Sequence, residues 1–211
     1  MEEKIISVEQ MRKSDAYTIE NYVPSKELMY RAAKGVYDSF PNWNNKKIAI
    51  IVGGGNNGGD GYALAGILKD KGIDSVIYKV SDKMSDDGKY YMEIAKKLGV
   101  SIESFDENTD LKDYDIIVDC ILGTGFVGEV RGMAKDAIEA INKSKAYVIS
   151  VDINSGMNGD TGEAALAVKS DLTVSIGYYK KGLFTEASKK FIKEKTNVDI
   201  GIILSNNITG Q

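Results

Sequence analysis

Apolar positions in the first forty residues recur at helical spacing. Val8, Met11, Ala16, Ile19 and Tyr22 follow Ser7 and Gln10, which together make a capping-box pattern at a helix start. Pro24 and Ser25 punctuate, and Leu28, Met29, Ala32, Ala33, Val36 and Phe40 mark a second amphipathic helix that Pro41 stops. Beyond Asn45 the period changes. Ile48-Ala49-Ile50-Ile51-Val52 is a short continuous apolar run, as expected of a strand buried on both faces. Further strands are expected at Ser75–Val80, Val100–Phe105, Asp115–Asp119, Tyr147–Val151, Leu172–Ile176 and Thr196–Ile200. Between them, Tyr62–Lys71, Met84–Leu98 and Met133–Asn142 read as helices.

Strands and helices that alternate over short connections imply a parallel sheet covered on both faces. The expected fold class is therefore α/β: a three-layer α/β/α sandwich, doubly wound and Rossmann-like, with two N-terminal helices. No repeat, linker or low-complexity segment interrupts it, so residues 1–211 are expected to form one domain with its core at about 8–203. The tail after Leu204 (Ser205, Asn206, Asn207) is polar and expected to fray.

Composition narrows the chemistry. Of 211 residues, 43% are hydrophobic and 27% charged, a balance that suits a globular protein and not a disordered chain. The formal net charge of −4 supplies no basic excess, which argues against a nucleic-acid grip through phosphates. Histidine is absent, which excludes imidazole bases and imidazole-ligated metals. The single cysteine, Cys120, excludes an internal disulfide and is expected in the core of a protein from a reducing compartment. No apolar run reaches the roughly 18 residues of a membrane span, and Met1 to Ile6 lacks a signal-peptide core. The expectation is a cytoplasmic protein without a membrane or nucleic-acid partner.

In a doubly wound sheet the ligand lies beyond the carboxyl ends of the strands, so the residues just after each strand should be the unusual ones. They are. After the first long strand stands Gly53-Gly54-Gly55-Asn56-Asn57-Gly58-Gly59-Asp60-Gly61. Its glycines allow close backbone approach, and the following helix start favours an anion. The G-x-G-x-x-G spacing alone is a weak signal in a chain of 22 glycines. The two amides and the carboxylate are more than a simple connection needs, and suit a polar ligand or a cation. After the fourth comes Asp119-Cys120-Ile121-Leu122-Gly123-Thr124-Gly125-Phe126, and after the fifth Asp152-Ile153-Asn154-Ser155-Gly156. An acid at the end of an apolar strand is costly unless it is paired or metal-bound, and Asp119 and Asp152 share that placement. Two carboxylates meeting at one glycine-rich crevice suggest acid/base catalysis or a cation site. Without histidine, Asp or Lys must move the protons. Lys180 in Gly177-Tyr178-Tyr179-Lys180-Lys181-Gly182 is the natural basic partner, unless it is simply an exposed lysine.

The three loops together resemble the NAD(P)H-hydrate epimerase family, the N-terminal half of the bifunctional nicotinamide-nucleotide repair proteins. Met11-Arg12 with Asp15, Leu28-Met29, Asp160-Thr161-Gly162 and Val198-Asp199-Ile200-Gly201 carry the likeness over about residues 8 to 203. The chain departs from the pattern at Tyr30-Arg31-Ala32, where an acid and a glycine are lost, and at Lys181, where a proline is common. The resemblance implies an epimerase that interconverts the R and S forms of hydrated NADH or NADPH at C6 of the damaged ring. It also implies that Asn56, Asn57, Gly58, Gly59 and Asp60, with Gly123, Thr124, Gly125, Phe126, Val127, Gly128 and Glu129, contact the dinucleotide. Asp152 would contact the ligand near the reacting ring, and a potassium ion (K+) would be held at Asn57, Asp119 and Ser155. The functional partner implied is an S-specific NAD(P)H-hydrate dehydratase, and the quaternary state expected is a homodimer, for which the Met- and Tyr-rich N-terminal helices offer an apolar face.

Inversion at C6 needs a group that gives and takes a proton beside the hydroxyl; Asp152 is the first candidate and Lys180 the second. Two other readings stand against this one. A nicotinamide-dependent dehydrogenase would need an acid at the end of the second long strand, where Val80 is followed by Ser81 and Asp82. A non-catalytic binding or scaffold module would need no working site, which the presence of Asn57, Asp119, Ser155 and Asp152 together opposes.

Overall fold

The computed structural model describes residues 4–205. After a two-residue strand β1 (Ile5–Ile6) come helices α1 (Val8–Asn21) and α2 (Ser25–Ser39). Ser7 caps α1 by accepting from the Gln10 amide at 3.1 Å, and α2 ends before Pro41, whose ring disfavours helical backbone in the residue ahead of it. The sheet follows: β2 (Ile48–Val52), β3 (Val76–Lys79), β4 (Ser101–Ser104), β5 (Ile116–Cys120), β6 (Tyr147–Val151), β7 (Ser170–Ile176) and β9 (Ile192–Val198), with the short β8 (Tyr179–Lys180) between the last two. Helices α3 (Asn56–Asp70), α4 (Asp86–Lys97) and α5 (Gly132–Lys143) connect them.

All seven long strands run parallel in the order β4-β3-β2-β5-β6-β7-β9. Every residue of β2 is buried, because its alternating side chains serve two cores. Ile48, Ile50 and Val52 join α2, α3 and α4 on one face, while Ala49 and Ile51 meet Ala137, Ile138 and Ile141 of α5 on the other. The chain builds outward from β2 to β3 and β4, then returns to place β5 on the opposite side of β2. That reversal opens a crevice beyond the carboxyl ends of β2 and β5.

Three features depart from expectation. The helix after β2 starts at Asn56, six residues earlier than the Tyr62 read from the sequence, so Asn56–Asp60 are its first turns and not loop. Glycine's poor helix propensity hid this start, which tertiary contacts override. The last strand lies at Ile192–Val198 and not at Thr196–Ile200, since Ser170 to Ile176 of β7 sets its register. Last, β1 and β8 pair with each other, Ile5 beside Tyr179 and Ile6 beside Lys180, in strands too short to show a period. Cys120 is in the core as expected. Part of the polar tail expected to fray, residues 206–211, lies outside the described residues.

Helix α1 is tied down by hydrogen bonds more than by apolar surface. Asp160 accepts from the Val8 amide at 2.9 Å. The fully buried hydroxyls of Ser14 and Thr18 accept from the amides of Ser205 and Ile203, at 3.2 and 2.9 Å. The helix thereby becomes one wall of the crevice.

Candidate active site at the sheet reversal

The crevice is a cleft of about 590 Å³. Its floor begins with the turn after β2. A methyl group at Gly53 would overlap the Ile121 carbonyl, and one at Gly58 would overlap the Gly53 carbonyl, so this crossing of backbones requires glycine at both positions. Gly54, Gly55, Asn56, Asn57 and Asp60 line the cleft from this side. Gly58 and Gly59 are buried in the packing beneath it, Gly59 against Met29. Gly123, Thr124, Gly125 and Phe126 form the facing wall. Val127, Gly128 and Glu129 are exposed outside the lining residues; Val127 is 86% exposed and Glu129 pairs with Arg131.

Asp119 and Asp152 are not equivalent, contrary to the parallel drawn from sequence. Asp119 lies under the cleft and is fully buried. Parallel pairing sets it beside Ser150, whose hydroxyl donates to Oδ2 at 2.8 Å. The Ser155 amide donates to the same oxygen at 3.0 Å, while the Ser155 hydroxyl (2.5 Å) and the Ile121 amide (3.3 Å) donate to Oδ1. Burial pushes the Asp119 carboxyl above its ordinary range, and these hydrogen bonds oppose the rise. Beside it, Asn57 donates from Nδ2 to the Val151 carbonyl at 2.8 Å, but its buried Oδ1 has no hydrogen-bond partner. That orphaned oxygen and the buried oxygens of Asp119 and Ser155 are donors of the kind a hard cation takes and zinc does not.

Asp152 opens onto the cleft from the end of β6. Its backbone has φ of +70°, and the Ile153 amide bonds back to the Val151 carbonyl at 2.9 Å, which makes Asp152 the centre of a γ-turn. Gly177 ends β7 in the same way, with φ of +75° and a Tyr178-to-Ile176 bond of 3.0 Å. The strain at a non-glycine residue is held by the Asp152 amide donating to Val174 O at 2.7 Å and by the Ile176 amide donating to its Oδ1 at 3.2 Å.

Lys180 is not the exposed lysine that a solubilising role would require. It is 1% exposed, fixed in β8 by pairing with β1, and its ammonium donates to Asp152 and to the Ile176 carbonyl (2.6 Å). Asp152 and Lys180 thus form an ion pair with its cation sealed in the protein and its carboxylate open to the cleft.

Two further carboxyls line the cleft that sequence reasoning did not credit with proton chemistry. Asp15 projects from α1, and burial together with the charge of Asp152 pushes it up to about 7 against the opposing pull of Lys180. Asp60, on α3, is also raised well above its ordinary range, by burial and by the charges of Asp152 and Asp15. A signal for Asp15 was available: it stands one position after Ser14 and four after Met11, both buried, so a carboxylate falls beside the buried face of its helix. Asp82, the acid a dehydrogenase reading would need, is an exposed partner of Lys79.

A cleft at the reversal of a parallel sheet covered by helices on both faces, with the Asp152–Lys180 ion pair opening onto it, makes this an α/β domain of Rossmann-like architecture. The chain belongs to the family described as YjeF-related protein N-terminus, which matches residues 25–182. It is 40% identical over 204 residues to the NAD(P)H-hydrate epimerase of Oenococcus oeni, covering 93% of this chain and 96% of that one. To the enzyme of the same name from Levilactobacillus brevis it is 31% identical over 211 residues, with 97% of each chain covered. The bifunctional NAD(P)H-hydrate repair enzyme Nnr of Dictyoglomus turgidum shares 33% identity over 94% of this chain, which spans 40% of that longer protein. Among solved structures, the crystal structure of yeast ynu0 has the same fold, with a TM-score of 0.79 at 23% identity over 92% of this chain and 87% of that one.

Proposed function

We propose that this protein is an NAD(P)H-hydrate epimerase, an isomerase that interconverts the R and S hydrates of NADH or NADPH by acid/base chemistry at C6 of the nicotinamide ring. The observation that carries the reading is the Asp152–Lys180 pair at the edge of the cleft. Inversion at C6 needs a bond there to break and re-form, either by ring opening or by loss of the hydroxyl, once protonated, as water with the ring nitrogen's lone pair filling in; the cleft's carboxyls suit the second route. Asp152, paired with Lys180 and open to the cleft, would take a proton from the water that re-adds. The glycine turn of Gly53–Gly55 and the start of α3 receive the pyrophosphate, and Gly123 to Phe126 close over the dinucleotide from the other wall. Val127, Gly128 and Glu129 would reach it only from the rim.

The buried oxygens under the cleft suit K+, with Asn57 Oδ1, Asp119 and Ser155 as its ligands. Bound there, the ion would neutralise Asp119 and hold the ends of β5 and β6 at a fixed spacing. Potassium is therefore expected to raise the unfolding temperature more than sodium does at equal ionic strength, and Asn57→Leu is expected to abolish the difference. Equal effects of the two salts would remove the cation from this reading. The functional partner is a dehydratase that acts on the S hydrate, the compartment is the cytoplasm, and the quaternary state is a homodimer through the N-terminal helices. A monomer by light scattering would remove the last.

The direct test mixes the protein with purified R hydrate and an S-specific dehydratase and follows the return of reduced cofactor by absorbance. Recovery at a rate set by the amount of this protein is the expected result. An R hydrate that persists indefinitely, while the cofactor still binds, would favour a binding module instead.

A further inference from the structure

Asp15 is a carboxyl in this cleft whose placement on its own helix no structural duty explains. Aspartate is a poor residue for the interior of a helix, and at the eighth position of α1 it serves neither cap. Of the other partly or wholly buried aspartates, Asp119 is engaged by serines, Asp152 by Lys180 and Asp171 by the Val148 amide, whereas Asp60 and Asp87, which also line the cleft, have no hydrogen bond or ion pair among the described residues. No hydrogen bond or ion pair holds the Asp15 carboxyl among the described residues, although its helix is pinned in place at Val8, Ser14 and Thr18. It faces the cleft from α1, whereas Asp152 and Lys180 enter from the sheet ends and Asp60 from α3.

We propose that Asp15 is the second proton-transfer residue of this site, acting on the wall of the cleft formed by α1 while Asp152 acts at the sheet. The proposal rests on the epimerase reading above. Inversion exchanges the two faces of C6, and one group on one face serves only half of that exchange. On the first face the Asp15 carboxylic acid gives its proton to the C6 hydroxyl. The C6–oxygen bond breaks with its electron pair on the departing water, and the ring nitrogen's lone pair makes the C6–nitrogen double bond. On the second face a water molecule adds to C6 and the Asp152 carboxylate takes its proton. One water leaves and one enters, one proton is spent and one gained, and exchange with solvent resets the pair.

The active form holds a single proton between the two carboxyls. The charged groups facing Asp15 are Asp60, Asp152 and Lys180, with Arg12 and Asp87 also lining the cleft. Asp60 is raised by burial, Asp152 and Asp15, and burial with the charge of Asp152 likewise pushes the Asp15 carboxyl up to about 7, near neutrality. Its ionisation removes the acid, so the rate declines as the pH rises through that value.

The experiment measures kcat and KM of wild type, D15N and D15E across neutral pH in the coupled assay with R hydrate. D15N should lose about 10²–10⁴-fold in kcat with KM little changed, and D15E should restore part of it. Wild-type kcat/KM should fall as the pH rises through about 7, and that limb should be missing from the residual activity of D15N. A wild type that converts the hydrate while D15N keeps its kcat overturns the role of Asp15 alone. A wild-type profile flat through neutrality does the same without any variant, should D15N fold poorly. A wild type that never converts the hydrate overturns the epimerase reading and this role together.

Discussion

Lys180 keeps its ammonium inside the protein, and the charge is tolerated because Asp152 and the Ile176 carbonyl both accept from it. The two residues therefore cannot be treated as independent. Asp152→Ala removes the carboxylate and strands a cation that is 1% exposed, which is expected to cost about 3–5 kcal/mol by urea unfolding. Adding Lys180→Met should recover most of that loss, with no recovery of activity. A single variant as stable as the wild type would show that solvent reaches the ammonium. Asp152→Asn, which keeps the shape and an acceptor oxygen, is the gentler probe of the proton-transfer role, and full turnover by it would remove that role. At this scale the sequence announced Asp119, Asp152 and Asn57 because acids and amides at the ends of apolar runs are out of place. It could not announce that one acid is sealed under the floor and the other open to the cleft, since both follow the same strand pattern. That difference arises from Ser150 and Ser155, which surround Asp119 only after the strands pair.

The strands β2, β5 and β6 were legible because burial on both faces leaves only apolar residues to choose from. The start of α3 was not. Its first turn, Asn56-Asn57-Gly58-Gly59, has a loop's composition, and it is helical because Gly58 lets the helix press on Gly53 and Gly59 lets it press on Met29 and Gly88. Those reasons belong to neighbours distant in the chain. β1 and β8 were invisible for a similar cause: two residues carry no period, and Lys180 gains its place only through Ile6. Helix α1 was read as amphipathic, yet the residues that seat it are hydroxyls. Thr18 accepts from the Ile203 amide and donates to the Ser14 carbonyl. Thr18→Val keeps the shape but leaves that amide without a partner, and is expected to cost about 1–3 kcal/mol in denaturant unfolding. Because α1 carries Asp15, the same substitution should lower kcat more than Asn21→Ala, at the exposed end of the helix, does. An equal effect of the two would separate the seating of α1 from catalysis.

At the scale of the molecule, three carboxyls among the described residues sit above their ordinary range, Asp15, Asp60 and Asp119, and burial is the leading cause in each case. Their unfolded value is 3.8. As the pH climbs past it, the unfolded chain releases these protons before the folded one does, so folding loses stability until the folded groups ionise too. For Asp15 that window closes at about 7. The exposed Glu9 and Asp110 are shifted down and act in the opposite sense, weakly because water screens them. The ligand-free protein is therefore expected to withstand more urea at about pH 5 than at about pH 8, and D15N to narrow the gap. A midpoint independent of pH would place the three acids in contact with bulk water. No helix among the described residues is long and apolar enough to cross a membrane.

The burial of Cys120 has a practical side. Its thiol is sealed in the core beneath Gly61 and raised well above its ordinary range, so the chain's one sulfhydryl is inert towards maleimides while the fold holds. A cysteine installed in place of Val127, which stands almost wholly in solvent beside the cleft wall formed by Gly123 to Phe126, would then be the sole labelling position. A fluorophore attached there would report on the rim of the cleft when a candidate ligand is added.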